Sequence, residues 1–198
     1  YHWINPDRLA LYLLDVSGHG VGAALLSVSV LNVLRTQSLP ETDFCDPAAV
    51  LRQLNRVFPM ERQNHLLFTI WYGVFDRNGR RLTYASGGHP PAVLAGEAAH
   101  PVQQLTTRGP LLGCDPAAEF RSESCEVKPG SRLFVFSDGA YEIARRDGTT
   151  AQLADFIQQL SLPAPPGHSK LHELVKWAED TGGQSSFQDD VSILEVEL

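Results

Sequence analysis

The 198-residue sequence lacks several features that would assign it to a specialised class of protein. It has no basic run, and its formal net charge of -7 argues against nucleic acid as the main ligand. It has no apolar stretch long enough to span a membrane, and no signal peptide. Its three cysteines, Cys45, Cys114 and Cys125, match neither a zinc motif nor a disulfide framework. These absences predict a cytoplasmic protein with no membrane partner.

The composition that remains is typical of a globular protein with one sizeable core. Hydrophobic residues make up 43% of the chain, which is an ordinary proportion. We therefore predict one domain covering residues 1–198. The chain begins abruptly with Tyr-His-Trp-Ile, so we expect a piece of a longer protein that is truncated at its N-terminus.

Hydrophobic periodicity and turn residues predict the order of the elements. A buried strand at residues 8–16 precedes a helix at 21–39 and a second helix at 48–58, which is capped by Asp46 and opened by Pro47. The apolar residues that recur at helical spacing in the first helix are Val21, Ala24, Leu25, Val28, Leu31 and Leu34. A hairpin at 67–86 with its turn at Asn78-Gly79 follows, then strands at 92–95 and 132–136, helices at 150–160 and 169–180, and a strand at 191–196. Hairpins with helices grouped in pairs favour the α+β class.

Carboxylates stand beside three of the predicted strands. Asp15 follows the first strand, Asp138 follows the strand at 132–136, and Asp189-Asp190 directly precedes the last strand. Each acid alone could be a turn or cap residue. Together they could converge at one sheet edge, where oxygen ligands suit Mg²⁺ or Mn²⁺. Two such ions can activate water and bind a phosphoryl group.

Four short motifs occur along the chain in a fixed order, and three of them contain these acids. They are Asp-Val-Ser-Gly-His-Gly (residues 15–20), Ser-Gly-Gly-His-Pro-Pro (86–91), Ser-Asp-Gly-x-x-Glu (137–142) and Gln-Asp-Asp-Val-Ser-Ile-Leu (188–194). The chain thereby resembles the bacterial branch of the metal-dependent serine/threonine protein phosphatases of type 2C, typified by SpoIIE and RsbU. The resemblance implies an α+β fold of two stacked antiparallel sheets flanked by helix pairs, with a two-metal site at one edge.

The resemblance also implies a role for each acid. Asp15 resembles the acid that bridges both metals, and Val16 would contribute its backbone carbonyl. Asp138 resembles a ligand of one metal, and Asp189 resembles the last ligand. Asp190 occupies a neighbouring position and could substitute for Asp189. The implied catalytic residues are therefore Asp15, Asp138 and Asp189, with two Mn²⁺ or Mg²⁺ ions in the complete domain.

The sequence departs from the family pattern at its beginning. The family has a Gly-Gly-Asp motif on the strand before Asp15, and its usual spacing would place that motif just before Tyr1. We therefore expect the fragment by itself to bind metal poorly. Glu142 matches the last acid of the Ser-Asp-Gly-x-x-Glu motif, and we expect it to be a supporting residue and not a metal ligand. His19 is shifted by one residue from the position of the family's general acid. We expect His19 to be a turn residue that hydrogen-bonds to the backbone, and His89 to be a structural turn residue.

Two functions remain open at this stage. The first is a serine/threonine protein phosphatase that acts on a phosphorylated protein of the anti-sigma antagonist type. Under this hypothesis the chain is an output domain, and an upstream receiver or sensor domain would regulate it, as in a response regulator of the RssB type. The second is a degenerate phosphatase fold that acts as an adaptor in sigma-factor control. An unrelated acid-rich metal hydrolase would not explain the motif order, and a homodimer is an open possibility.

Overall fold

The computed structural model describes residues 1–96, 102–145, 147–165, 167–182 and 189–198. Their elements are β1 (His2–Asn5), β2 (Arg8–Val16), α1 (Val21–Arg35), α2 (Pro47–Val57), β3 (Phe68–Asp76), β4 (Arg81–Gly87), β5 (Ala92–Ala95), β6 (Gln103–Leu105), β7 (Glu123–Glu126), β8 (Arg132–Phe136), α3 (Leu153–Ser161), α4 (Lys170–Gly182) and β9 (Ile193–Glu197). The chain divides into two compact units. The first contains Tyr1–Pro91 and Leu105–Val127, and the second contains Ala92–Gln104 and Lys128–Leu198.

The first unit is built on a five-stranded antiparallel sheet in the order β1-β2-β3-β4-β7. Its longest pairing joins β2 and β3, from Arg8 opposite Asp76 to Val16 opposite Phe68. Alternate pairs along this ladder exchange hydrogen bonds and fix its register, so the pairing sets the position at which β2 ends.

Helices α1 and α2 cover one face of this sheet. Val30 and Leu34 of α1, and Leu51 and Leu54 of α2, are fully buried. They belong to one apolar cluster with the sheet residues Ala10, Tyr12, Ile70, Tyr72, Val74 and Ala85. Burial of each such leucine or valine stabilises the fold by about 1.5–3 kcal/mol.

A glycine in β3 makes room for the largest buried side chain of this sheet. Side chains two residues apart point to the same face of a strand, and a Cβ at Gly73 would lie 2.3 Å from the indole ring of Trp71. Trp71 is fully buried, and its Nε1 donates a hydrogen bond to the carbonyl of Leu105 at 2.9 Å. Tyr72 and Phe75 of the same strand are buried as well, so the β3 aromatics belong to the core.

The second unit contains a four-stranded sheet in the order β6-β5-β8-β9. β8 pairs antiparallel with β5 on one side and with β9 on the other. Helices α3 and α4 pack on this sheet through Phe156, Leu160 and Leu174, which cluster with Phe134 and Phe136 of β8. The predicted α+β class, with two antiparallel sheets and paired helices, is confirmed. In the described part of the chain, no helix is both long and apolar enough to cross a membrane.

The apolar residues whose spacing predicts helix α1 are mostly not the ones that pack on the sheet. Leu34 is buried, but Val21 is 77% exposed, and Leu25 and Val28 are each 62% exposed. The buried face instead contains Ala23, Leu26 and Val30 together with Leu34. Apolar residues occur on all sides of this helix, so periodicity alone does not identify the face that packs on the sheet.

Five non-glycine residues of the described chain lie in the left-handed region, and two of them, Gln37 and Arg80, set turns that the sequence pattern does not fully predict. Helix α1 ends at Arg35 rather than at residue 39 because Gln37 adopts φ 51°, and the Ser38 amide donates to the carbonyl of Val33. The hairpin after β3 lies where Asn78-Gly79 predicts it, but its left-handed residue is Arg80, with φ 47°. The other predicted strands and helices begin and end within three residues of their predicted bounds, and the structure adds β1, β6 and β7.

Helix α2 is tied to a distant loop by one buried asparagine. Asn55 is 1% exposed, and its Oδ1 accepts a hydrogen bond from the amide of Gly113 at 2.7 Å. Its Nδ2 donates to the carbonyl of Asp115, also at 2.7 Å. These bonds satisfy the buried Gly113 amide of the loop and give the Asp115 carbonyl, which also accepts from the Ala118 amide, a second donor.

We predict that Asn55→Ala lowers the free energy of unfolding by about 1–3 kcal/mol, because the buried Gly113 amide loses its acceptor and the Asp115 carbonyl loses one of its two donors. Urea denaturation followed by circular dichroism measures this change. The matched control is Asn32→Ala at an exposed position of α1, which should change stability by less than about 0.5 kcal/mol. Equal stabilities of the two variants would contradict the prediction.

Candidate functional site

Asp15 lies at the end of β2, in the first unit. It is half-buried and stands opposite Thr69 of β3, one pair before the last pair of the ladder. Beyond that pair, the Ser17 amide donates to the carbonyl of Leu67 at 2.8 Å, and the Leu67 amide donates to Ser17 Oγ at 2.9 Å. The pairing with the β3 segment therefore continues past the end of β2. Asp15 and Val16 are thus followed as well as preceded along the chain by residues that are paired with that segment.

A glycine-containing turn joins Asp15 to helix α1. Gly18 and Gly20 have φ of 82° and 91°, conformations that favour glycine, and Gly20 is the N-cap of the helix. His19 is exposed in this turn. Among the described residues its side chain forms no hydrogen bond, so the expected bond to the backbone is absent there. The turn therefore connects the strand residue Asp15 directly to the start of α1.

Asp138 lies directly after β8, in the second unit. It is half-buried, and its Oδ1 accepts a hydrogen bond from the Gly139 amide at 2.9 Å. Its carbonyl accepts from the amides of Tyr141 and Glu142, at 2.9 and 2.8 Å, which closes a single helical turn. Burial raises the pKa of Tyr141 to about 12, with smaller contributions from the charges of Glu142 and Asp138. Glu142 itself is exposed.

Asp189 and Asp190 lie beside Asp138 because β8 and β9 are antiparallel neighbours. Phe136, the last residue of β8, stands opposite Ile193, the first residue of β9. The end of one strand therefore adjoins the start of the other. Both acids at the start of β9 are exposed.

Ser137 fastens these two segments together. Its Oγ donates a hydrogen bond to the carbonyl of Asp190 at 3.0 Å and accepts one from the Ser192 amide, also at 3.0 Å. Its own amide donates to the carbonyl of Ser192 at 3.0 Å. Ser137 is 3% exposed, so these bonds are shielded from water. Sequence analysis missed this serine as an organising residue, although its place before Asp138 was visible.

Gly139 allows the two acid segments to come close. A Cβ at this position would lie 2.6 Å from the carbonyl oxygen of Asp190 and 3.3 Å from Cβ of Asp189. The φ of Gly139 is not in the left-handed region, so close approach alone requires the glycine. The glycine is thus a spacing residue of the site.

The donor chemistry of these residues fits a hard divalent cation. Oδ1 of Asp138 and Oδ1 of Asp189 each accept the amide of the next residue, at 2.9 and 2.8 Å. Within the described residues, Oδ2 of each carboxylate has no hydrogen-bond donor. Carboxylate oxygens of this kind are the ligands that Mg²⁺ and Mn²⁺ prefer.

The two units contribute different parts of the predicted ligand set. Asp15 and Val16 belong to the first unit, and Asp138, Asp189 and Asp190 belong to the second. The convergence of all these residues on two ions stays a prediction.

His89 lies in the predicted turn, where it is buried, and its carbonyl accepts a hydrogen bond from Ser86 Oγ at 3.0 Å.

Comparison with known proteins places this fold and these motifs in a family. The family model described as Stage II sporulation protein E (SpoIIE) matches residues 5–198. The chain belongs to the SpoIIE family. The motif-based resemblance is thereby confirmed.

Two curated relatives come from Bacillus subtilis strain 168. Phosphoserine phosphatase RsbU is 28% identical over 149 residues, which cover 75% of this chain and 44% of RsbU. Phosphoserine phosphatase RsbP is 27% identical over 146 residues, covering 72% of this chain and 35% of RsbP. The chain thus spans less than half the length of these relatives.

Solved structures share the fold. The SiaA-PP2C domain of Pseudomonas aeruginosa superposes with a TM-score of 0.79 at 18% identity, covering 96% of this chain and 80% of that one. The PP2C phosphatase domain of SpoIIE from Bacillus subtilis, with a fragment of its regulatory domain, also gives 0.79, at 14% identity, covering 100% of this chain and 56% of that one. At these identities the comparison supports the PP2C fold.

We predict that Gly139→Ala displaces the Asp189-Asp190 segment and lowers the free energy of unfolding by about 1–3 kcal/mol, because the added methyl group overlaps the Asp190 carbonyl. Urea denaturation measures the loss. Gly79→Ala is the control, since a Cβ there meets Asp76 at 3.4 Å, an ordinary contact, and should leave stability nearly unchanged. A Gly139→Ala protein as stable as the control would show that the segment has room to move.

Proposed function

We propose that this chain is the catalytic domain of a metal-dependent phosphatase that acts on phosphoserine or phosphothreonine in a protein. The observation that carries the proposal is the close attachment of Asp138 to Asp189-Asp190, through Ser137 and Gly139, in a member of the SpoIIE family. The names of RsbU and RsbP, both phosphoserine phosphatases, support the same reaction class.

Two divalent ions, Mn²⁺ or Mg²⁺, are part of this proposal. Asp15 would bridge them, Asp138 and Asp189 would each hold one, and the Val16 carbonyl and Asp190 would complete the set. When bound, such ions polarise the phosphoryl oxygens and lower the pKa of a coordinated water. The structure of RsbX in complex with magnesium supports a divalent ion on this fold.

The role of this chain's own residues is to hold negative charge in place. Asp15 is fixed by the β2–β3 ladder, and Asp138 is fixed by the β8–β9 pair and its helical turn. Preorganised charges need not rearrange during the reaction, which is the main source of electrostatic catalysis. The overall reaction is hydrolysis: the oxygen of water bonds to phosphorus, and the side-chain oxygen of the substrate leaves with a proton.

We propose that the substrate is a phosphorylated regulatory protein of the anti-sigma antagonist type. Similarity to RsbU supports this, as does a solved structure of the RsbU and RsbW domains of Rv1364c from Mycobacterium tuberculosis, with a TM-score of 0.70 at 24% identity. Because the chain spans 44% of RsbU, we further propose that an upstream receiver or sensor domain controls its activity. The cytoplasm would be the compartment of such a pathway.

We predict that the chain, extended upstream by its natural sequence, hydrolyses a phosphoserine protein only with Mn²⁺ or Mg²⁺. Asp15→Asn and Asp138→Asn should each lower kcat/KM by about a hundredfold or more, because fixed charge is lost where ions and phosphate meet. Phosphate release measures turnover, and EDTA should abolish it.

Asp180→Asn is the matched control, since this aspartate is exposed on α4. Its kcat/KM should equal that of the unmodified chain. Turnover that resists EDTA, or an Asp15→Asn protein of full activity, would refute the proposal. A folded extended chain that binds the phosphoprotein without hydrolysing it would identify the adaptor function instead.

A further inference from the structure

Three side chains that can bind metal lie together at the start of α4. The ligand atoms of His168, His172 and Glu173 all lie within 4.8 Å of one another. Both histidines are exposed, and Glu173 is half-buried. Among the described residues, it is the one group of three or more His, Cys, Asp or Glu side chains whose ligand atoms lie this close together. It contains none of the acids of the proposed phosphatase site.

Spacing along the chain brings the three side chains to one place. His168 lies two residues before α4, and His172 follows it by four residues, about one helical turn. Nδ1 of His168 lies 2.6 Å from Oε1 of Glu173, and the two imidazole rings are 5.5 Å apart at 84°. A nitrogen–oxygen contact and a ring contact therefore already join all three residues.

The backbone that carries these side chains is held in place. The His168 amide donates to the carbonyl of Pro165 at 3.1 Å. Ser169 caps the helix, because its Oγ accepts from the His172 amide at 3.2 Å and its carbonyl accepts from the Glu173 amide at 3.3 Å. Only side-chain rotations are then needed to bring the ligand atoms onto one ion.

A buried lysine adds to this rigidity. Lys170, the first residue of α4, is 4% exposed. Its Nζ donates hydrogen bonds to the carbonyls of Gln159 and Leu162, at the C-terminal end of α3. The first turn of α4 is thereby fastened to α3.

We propose that His168, His172 and Glu173 form a surface site for Zn²⁺ or a similar late transition-metal ion. Two imidazole nitrogens and one carboxylate oxygen suit Zn²⁺, whereas Mg²⁺ prefers oxygen ligands alone. Ligand atoms on a tetrahedral Zn²⁺ lie about 3.3 Å apart. On binding, the distance from His168 Nδ1 to Glu173 Oε1 therefore increases slightly, and the distances from these residues to the His172 nitrogen decrease. Water fills the remaining position. The bound ion links the segment before α4 to the helix.

One charge works against this ion. The cation of Lys176, one turn beyond His172, acts on the Glu173 carboxylate. A nearby like charge weakens cation binding, and between exposed groups this effect is small. Lys176→Gln should therefore tighten Zn²⁺ binding by roughly two- to fivefold. A purely structural role of the histidines would not produce this gain.

The test is a Zn²⁺ titration of the 198-residue chain by calorimetry, in excess Mg²⁺ to occupy oxygen-ligand sites. We expect one equivalent of Zn²⁺ to bind, and Co²⁺ in its place to give an absorption spectrum of a low-symmetry nitrogen-ligated ion. His172→Ala and Glu173→Gln should each weaken binding by roughly tenfold or more. His65→Asn is the control, because it removes an exposed histidine and asparagine tolerates the φ of 61° there.

Circular dichroism in EDTA establishes that each variant is folded, and His168→Asn replaces His172→Ala if the latter is not. Zn²⁺ binding that is unchanged in the His172 and Glu173 variants would overturn the proposal. So would binding that disappears in Asp138→Asn but survives in the histidine variants, because it would assign the ion to the acidic site. Loss of phosphatase activity plays no part in this test, so the two proposals succeed or fail separately.

Discussion

Main-chain pairing between antiparallel strands decides where the acids of this protein lie. Asp15 is the last residue but one of β2, Asp138 follows β8, and Asp189 precedes β9. Each of these strands is hydrogen-bonded to a neighbouring strand, so the sheets set where the strand ends beside these carboxylates lie. A side chain at a strand end inherits the rigidity of the sheet but still reaches solvent, as a metal ligand or catalytic group requires.

The β8–β9 end combines hydrogen bonding with close contact. Ser137 satisfies a carbonyl and an amide of the neighbouring segment, and Gly139 leaves room for the Asp190 carbonyl. Both small residues flank Asp138 directly. A side chain at position 139 would overlap the Asp190 carbonyl, and loss of the hydroxyl at position 137 would remove two hydrogen bonds to the neighbouring segment, which gives both residues of the Ser-Asp-Gly motif a physical role.

Buried polar side chains secure the helices in both units. Asn55 satisfies two backbone groups of a loop in the first unit, and Lys170 satisfies two carbonyls at the end of α3 in the second. Burial lowers the pKa of the Lys170 ammonium, and its two acceptors offset part of the cost of desolvation. Substitution at either position removes two hydrogen bonds at once, and substitution of Asn55 leaves the Gly113 amide without its acceptor.

Local patterns in the sequence determined most of the elements and their order. The apolar run before Asp15, the Asp46-Pro47 cap and the run before Asp138 predicted β2, α2 and β8, because strand and helix signals depend on neighbouring residues. The four motifs also predicted the family. Local pattern could not decide which side of α1 packs on the sheet, since that helix is apolar all round and leaves Val21, Leu25 and Val28 exposed.

Contacts between distant residues were decided by the tertiary structure alone. Ser137 meets Asp190 and Ser192 across more than fifty residues, and Asn55 meets Gly113 across 58. The approach of His168 to His172 and Glu173 depends on how the segment before α4 enters the helix. The sequence by itself therefore determined the elements, the family and the candidate acids. Only the folded chain decided which side chains hold the acids in place, because a serine, glycine or histidine carries no local signal of its distant partner.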